Sequence, residues 1–554
     1  MGFFKRDTEL DSTIIWQKYE KGVEWHNKNS LYTNTDQYYN LFEGRQWANV
    51  ESGDEKLSQH NFIQPICEYK VAMVAMNQMT INYSPLNTGE NQKVFRETCD
   101  LLNEFARSKW ELKKMDAKTW EVVKQACISG DSYLFFYNSQ LDAQHIDRTN
   151  IYLSDEQSSD LQKQKHIIIY ERRFVDDVKA DAKKNKIPQD QIDMIVADDD
   201  TETLPSNVQS NEVKSNDKCS CLLYLTKKDG KIYIARSTKT VVYQAETLIE
   251  GLTLYPIVSF LWSTKRGSSR GIGEVEPLVN NQINANKLLA RRELNLKMTG
   301  FAKPVYNTRM ISNPQDVEKV GLSIKINSDT VQKVDDAFKY ISPAPVGIDA
   351  KTMQDELINV SRDLANAGDN ATGNINPEKA SGAAIIAVKD QQAIATTQTV
   401  ASYRQFIEDI ASVWLDMWIA YNPNGLTVDL EQDGELIQQT ITADILRELQ
   451  VNIRIDVSPS NPYSKFAREQ SLENALAQKH ITFAEYVEAL DDDGTAPKGK
   501  FNDILEKRAE LMAQQQASEL EQAKVIMEQQ NQALKGLIGE PPIEGGIPSE
   551  MPQL

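Results

Sequence analysis

Residues 370–398 read NATGNINPEKASGAAIIAVKDQQAIATTQ, an Asn/Thr/Gly loop that passes straight into a helical run. The run extends from about 382 to 421. At 1.5 Å per residue an unbroken helix of that span is roughly 60 Å long. Whatever this chain folds into has to accommodate that rod. Its apolar stripe sharpens only towards the end, where Tyr403, Ile407, Ile410, Trp414 and Met417 share one face at helical spacing. Its first turns carry Ala383, Ala384, Ala387, Ala393, Ala395, Thr396 and Thr397 on several sides. Small residues so placed suit close packing against copies of the same helix. They also suit the core of a large helical domain.

The chain around the rod has 554 residues, too many for one ordinary core, so more than one domain is expected. Hydrophobic residues at 40% and charged residues at 25% fit a folded protein rather than a disordered one. The formal net charge of −19 argues against a protein that grips nucleic acid by neutralising phosphates. Five scattered cysteines, Cys67, Cys99, Cys127, Cys219 and Cys221, suit a reducing compartment without a disulfide framework. The opening MGFFKRD carries no signal peptide, and Arg6 stands where a myristoylation signal needs Ser or Thr. No apolar run reaches the length needed to span a bilayer, so the expectation is a soluble protein made in the cytoplasm.

Along the chain, residues 10–45 read as helical, and 63–85 as a helical stripe ending before Pro85. Two helices follow, the second capped by Gly130, and SYLFFY (132–137) then reads as a strand. HIIIYERRF is another strand, and CLLYLTKKDGKIYIA a hairpin around Asp229-Gly230. Residues 180–217 turn polar and acidic, with a mobile loop expected at ADDDTETLPSNVQSNE. The first half is thus α+β. From Gly271 a long helix runs to Gly300. Residues 301–346 form a small insert of short strands and prolines, and a second helix is ended by Gly368. After the rod come a hairpin at Asp433-Gly434, the strand VNIRIDVSP, a Gln-rich helical stretch over 462–535, and a Pro/Gly-rich tail expected to be disordered.

Motifs for chemistry fail on inspection. GTAPKGKF (494–501) has the spacing of a phosphate-binding loop, but Phe501 replaces the hydroxyl residue that would hold magnesium, and Asp491, Asp492 and Asp493 would repel a triphosphate. A helix–helix turn is the plainer reading. DLEQDGELIQQT (429–440) resembles a calcium loop but ends on Thr440 instead of Glu, between strand-like flanks. Cys219-Ser-Cys221 lacks zinc-ligand spacing. The histidines His26, His60, His145, His166 and His480 form no close pair. The expectation is no catalytic residue, no metal and no cofactor.

The two helices before the loop carry a charge pattern. The first has Glu274 and Glu276 early, then Lys287, Arg291, Arg292 and Lys297 late; the second has Asp349, Asp355 and Glu356 early. Run antiparallel, the basic end of one meets the acidic end of the other, and each end suits its helix dipole. A solvated hairpin would show the same charges.

The order of these parts resembles the portal protein of tailed bacteriophages over nearly the whole chain. Four stretches carry the likeness: YYNLFEGRQW (38–47), ACISGDSYLFFY (126–137), GIGEVEPLVNNQINANKLLARR (271–292) and GDNATGNINPEKASGAAI (368–385). The resemblance implies an α+β portal fold. Its wing would be 1–270 with 423–461, its stem helices 271–299 and 347–369, and its clip 300–346. The tunnel loop would be 370–381, the long tunnel helix 382–422, the helical crown 462–536, and the disordered tail 537–554. It implies a homo-oligomeric, dodecameric ring at one capsid vertex, through which the genome is packaged and ejected. Implied partners are the terminase large subunit, a head-completion or tail adaptor, the major capsid and scaffold proteins, and double-stranded DNA that passes without tight binding. The location is the virion, with the host cytoplasm during assembly and no membrane. Asn370, Thr372, Asn374, Asn376 and Lys379 would line the channel. Lys287, Arg291 and Arg292 would meet Asp355 and Glu356 between subunits. The uncommitted loop and helix then make sense, because Asn and Thr can touch phosphate without the counterion release that makes Lys and Arg sticky. Lys379 and Lys389 depart from that pattern. The rival readings are another virion structural protein, such as a scaffold or tail component, and a packaging ATPase built on Gly494–Lys500.

Overall fold

A computed structural model of the protein describes residues 11–47, 57–76, 78–86, 92–198, 217–299, 303–316, 323–326, 333–341, 349–367, 382–432, 435–458 and 471–490, with scattered helical positions between 500 and 527. It divides into two compact units, Met1–Ser458 and Pro459–Leu554.

The first unit begins with α1 (Ser12–Lys28), α2 (Leu31–Phe42), α3 (Ile63–Ala75), β1 (Gln78–Pro85), α4 (Gln92–Leu112) and α5 (Met115–Ser129). Next come β2 (Asp131–Phe136), β3 (Ala143–Ile146), β4 (Ile151–Leu153), β5 (His166–Phe174), α6 (Val175–Lys184) and α7 (Gln189–Asp193). Then follow β6 (Lys218–Lys228), β7 (Lys231–Thr238), β8 (Val242–Leu248), β9 (Ile257–Leu261) and α8 (Val279–Thr299). The chain continues through β10 (Lys303–Tyr306), α9 (Val334–Ala337), β11 (Phe338–Ile341), α10 (Asp349–Leu364) and α11 (Gly382–Tyr421). It closes with β12 (Leu426–Gln432), β13 (Glu435–Ile441), α12 (Ala443–Glu448) and β14 (Val451–Ser458).

Helix and sheet are mixed as an α+β fold. The largest sheet is antiparallel in the order β4-β5-β6-β7-β8, and a second runs β3-β2-β9. The β6–β7 turn places Asp229 at φ 51° and Gly230 at φ 75°, the positive pair a tight hairpin turn requires. All six residues of β2 are buried, as befits the central strand of its sheet.

Four readings of the sequence are corrected. The stripe over 63–85 is two elements, because α3 stops at Ala75 and β1 alternates, with Ile81 and Tyr83 buried and Thr80 exposed. Its partner is β14, with Ile81 opposite Ile455 and Tyr83 opposite Ile453, a pairing that no local pattern announces. The polar region from 180 contains the rest of α6 and all of α7, whose Val178, Ala182 and Ile192 pack on Cys219, Cys221 and Tyr243; the acidic loop at 199–216 lies outside the described residues. The first long helix begins at Val279, not Gly271, after a short 3-10 turn over Glu276–Leu278 that contains Pro277. The second ends at Leu364, not Gly368: Asn366 takes φ 51°, and the Ala367 amide donates to the Arg362 carbonyl at 2.8 Å, closing the helix in a left-handed cap.

The rod spans Gly382–Tyr421 as one helix. Its second half is core. Tyr403, Phe406, Ile407, Ile410, Trp414, Met417 and Trp418 are buried, and the helix packs on β9, α3, β14 and β1. Trp414 meets Trp110, Phe136 and Trp418 at ring-centroid distances of 5.7, 6.2 and 5.9 Å. Full burial of one such side chain is worth about 1.5–3 kcal/mol. The side chains of Ala383, Ala384, Ala387, Ala393 and Ala395 lie outside what is described.

Within the second unit, Thr482 and Glu485 form a reciprocal cap on the helix Phe483–Ala489. Tyr486, Val487 and Leu490 pack with Leu472, Leu476 and Phe501. Phe501 meets Phe483 at 5.7 Å, edge to face. The residue that breaks the phosphate-loop pattern thus packs, half-buried, against a small helical cluster; 494–499 lie outside the described residues.

Candidate assembly site: the helical hairpin and its root

Helices α8 and α10 form an antiparallel hairpin around the insert. Asn281 Nδ2 donates to Ser361 Oγ at 3.0 Å, and near the other end Arg292 Nη1 donates to Gln354 Oε1 at 2.6 Å. Gln354 and Ser361 are buried between the helices. Arg292 thus spends one donor on the amide next to the expected carboxylate Asp355. Lys287, Arg291, Asp355 and Glu356 all stay exposed on this chain, and among the described residues no ion pair joins them. The hairpin also leaves large apolar side chains in water. Leu294, Leu296, Met353, Val360 and Leu364 are 59, 67, 54, 44 and 65% exposed. A helix pair on the surface of a monomer normally buries its apolar side chains, so this exposure marks surfaces that suit another partner.

Between the two helices sits the insert. β10 and β11 pair antiparallel, Lys303 opposite Ile341, and an isolated bridge joins Ile311 to Ile326. Ile311 and Ala337 of this part are buried.

At its root the hairpin is fastened by side-chain amides. Gln282 donates through Nε2 to the His60 carbonyl at 2.6 Å and accepts through Oε1 from the Phe62 amide at 3.2 Å. Asn286 accepts from the His60 amide at 2.8 Å and donates to Gln46 Oε1 at 2.7 Å. Gln46 belongs to the quoted stretch YYNLFEGRQW, and Gln282 and Asn286 to the stretch 271–292. Both amides are buried, and each satisfies partners on a segment more than 200 residues away.

Two of the quoted stretches also cross each other through glycines. A Cβ on Gly130 would lie 2.3 Å from the Gly271 carbonyl oxygen, and one on Gly271 would lie 2.1 Å from that of Gly130. A Cβ on Gly273 would lie 2.6 Å from the Ile128 carbonyl. The Glu274 amide then donates to the Cys127 carbonyl at 2.7 Å, and the Glu274 carboxylate pairs with Lys70 at 2.5 Å. Only glycine permits so close an approach of two backbones.

Beside this crossing lies a buried ionic cluster. Arg270, 3% exposed, donates Nε and Nη2 to the two oxygens of Glu156 at 2.9 and 2.8 Å. Its Nη1 reaches Asp131 at 3.4 Å and the Arg148 carbonyl at 2.9 Å. Arg148 Nη2 pairs with Asp131 at 3.0 Å, and Ser269 donates to Glu156 at 2.5 Å. Burial alone would raise the Glu156 pKa, but the Arg270 charge and the bonds from His26, Arg270 and Ser269 hold it far below the usual carboxylate range. Burial lowers the His26 pKa and keeps that ring neutral near pH 7. Sequence reasoning missed Arg270, Glu156, Asp131, Arg148, Gln282 and Asn286. A usable signal existed for two of them: Asp131 and Arg270 each stand directly beside a glycine of the crossing.

Ser132 Oγ lies 2.8 Å from His145 Nε2, the spacing of a nucleophile and its base. Ser132 is only 1% exposed in the central strand, and the nearby Asp147 accepts from the amide and hydroxyl of Thr149 at 2.8 and 2.6 Å. The pair reads as a cross-strand bond between β2 and β3. The expected channel residues Asn370, Thr372, Asn374, Asn376 and Lys379 lie outside the described residues. Compared with known proteins, the sequence matches no family model and no curated relative.

Proposed function

We propose that this chain is a portal protein of the tailed-bacteriophage kind, the subunit of a ring at one capsid vertex. The observation that carries the reading is the α8–α10 hairpin, which frames a small β insert, is rooted in an α+β body and exposes five large apolar side chains. Such a hairpin suits neighbours of the same kind on either side, with Arg291, Asp355 and Glu356 free to pair across subunits. The insert at its tip would dock the terminase large subunit during packaging and the head-completion or tail adaptor afterwards. The body would meet the major capsid and scaffold proteins. Double-stranded DNA would pass along the ring axis, where a net charge of −19 per chain disfavours tight binding. Oligomers of this size are closed and symmetric when each subunit presents two complementary faces.

The purified protein should form rings with an axial hole in negative-stain images, and a particle without a hole would count against the proposal. The packaging-ATPase alternative requires ATP hydrolysis that is lost in Lys500→Ala. The packing of half-buried Phe501 against a helical cluster weighs against it.

A further inference from the structure

We infer that Cys219 and Cys221 are a peroxide-sensitive dithiol that closes to a disulfide within strand β6 and loosens the α6–α7 cover above it. Alternation along the strand puts both side chains on one face. Their sulfurs lie 3.9 Å apart, with Cys219 2% and Cys221 1% exposed. All five cysteines are free thiols.

The surroundings favour one sulfur as the attacking group. The Cys221 S–H donates towards the Cys219 sulfur and lowers the Cys219 pKa; the Arg172 and Arg173 guanidiniums act the same way, against burial and Asp198. The same bond, together with burial, raises the Cys221 pKa. Arg173 stands opposite Cys219 in the β5–β6 register, pairs with Asp181 at 2.9 Å and donates to Tyr243 Oη at 3.5 Å. Elsewhere burial pushes thiols the other way, Cys99 up to about 11 and Cys127 well above its ordinary value.

The cover is thin. Val178, Ala182 and Ile192, from the ten-residue α6 and the five-residue α7, close over the pair in a small cluster separate from the main core. Among the described residues the β6–β7 register starts at Cys221, so Cys219 pairs with β5 alone. Small clusters at the end of a sheet open locally before the whole domain unfolds, which admits a molecule the size of hydrogen peroxide.

The chemistry balances with one peroxide. The Cys219 thiolate attacks a peroxide oxygen, the O–O bond breaks, and hydroxide leaves and takes up a proton, giving a sulfenic acid. The Cys221 thiol gives up its proton and attacks that sulfur, the S–O bond breaks, and water leaves. The two thiols lose two electrons and two protons, and the peroxide becomes two waters. In an extended strand positions i and i+2 lie roughly 6.4–6.8 Å apart, near the upper end of the roughly 4.4–6.8 Å that a disulfide bridges. Closing the bond therefore draws β6 in at Ser220, whose amide donates to Asp198 at 2.6 Å and whose hydroxyl accepts from Arg172 at 3.2 Å. It also shifts both sulfurs beneath Val178, Ala182 and Ile192.

The test exposes the full-length protein, without denaturant, to hydrogen peroxide, denatures it in N-ethylmaleimide, digests it with trypsin and measures the peptide masses. Lys218 and Lys227 bracket both thiols on one peptide, CSCLLYLTK. The expected product is that peptide unlabelled, two hydrogens lighter than the dithiol, and restored by dithiothreitol. It should form roughly tenfold faster than Cys67, Cys99 or Cys127 lose their label. Hydrogen exchange over 175–195 should quicken in the oxidised protein and return on reduction. Cys221→Ala should leave a sulfenic acid on Cys219 that dimedone traps, and Cys219→Ala should leave Cys221 open to the label. The inference is overturned if the unaltered peptide keeps both labels, if the other three cysteines lose theirs as fast, if Cys219 goes on to sulfinic acid with Cys221 present, or if the disulfide forms while exchange over 175–195 stays the same.

Discussion

Arg270 shows how single residues set the behaviour of this fold. It was invisible as a site in the sequence, yet it joins β2, the β4 turn and the approach to α8 at 3% exposure. Arg270→Met would strand Glu156 without its charged partner and leave Asp131 paired to Arg148 alone. The expected loss is about 3–5 kcal/mol in chemical denaturation; a loss below about 1 kcal/mol would mean that the cluster relaxes or hydrates freely. Acid sensitivity follows from the same kind of burial. Burial, and then Lys18, lowers the His166 pKa from 6.5 to about 4. The unfolded chain therefore binds a proton that the folded one refuses, so stability is full above pH 6.5 and is lost as pH falls through that window towards 4. Glu156 continues the trend: its depressed pKa contributes stability above the usual glutamate value of 4.5, and that contribution is lost as pH falls below it. In His166→Phe the fall in Tm between pH 6.5 and 4 should be shallower, with the ring still seated beside Tyr224.

Elements divide by how local their causes are. Gly130→Ala puts a methyl 2.3 Å from a backbone oxygen at φ 112°, whereas Gly230→Ala, at φ 75°, meets nothing within 4 Å. The first should cost upwards of about 3 kcal/mol, combining overpacking with backbone strain, and the second only about 1–2 kcal/mol. Equal losses in urea unfolding would remove the glycine crossing from this account. The β6–β7 hairpin, the Gly130 cap, the rod and the strand at 166–174 were legible because turn chemistry and periodicity within a few residues determine them. β1 was not, because its alternation is short and its partner β14 lies more than 350 residues on. The start of α8 was misread because the apolar pattern continues upstream of Pro277 while the backbone does not. The root of the hairpin was legible only as conspicuous strings; that Asn286 bonds Gln46 and His60 while Gln282 bonds His60 and Phe62 is a tertiary fact with no local signature.

For the whole molecule the issue is what covers the hairpin. The same helices that the sequence marked for charge pairing carry exposed apolar side chains as well, and α8 and α10 do not cover them themselves. Leu294→Glu together with Leu296→Glu should disrupt assembly while the Tm of the isolated chain moves little, since both side chains already stand in water. Retained assembly would shift the interface elsewhere. The charged contacts belong to the same test: Arg291→Glu should weaken the assembly and Glu356→Arg should partly restore it, with the restoration fading at high salt. The most direct measurement is the native mass of the purified protein across a range of concentrations. The account predicts a discrete closed assembly of about 750 kDa, twelve copies of a 62.7 kDa chain, that persists on dilution. A species that stays at 62.7 kDa over the whole range would contradict it.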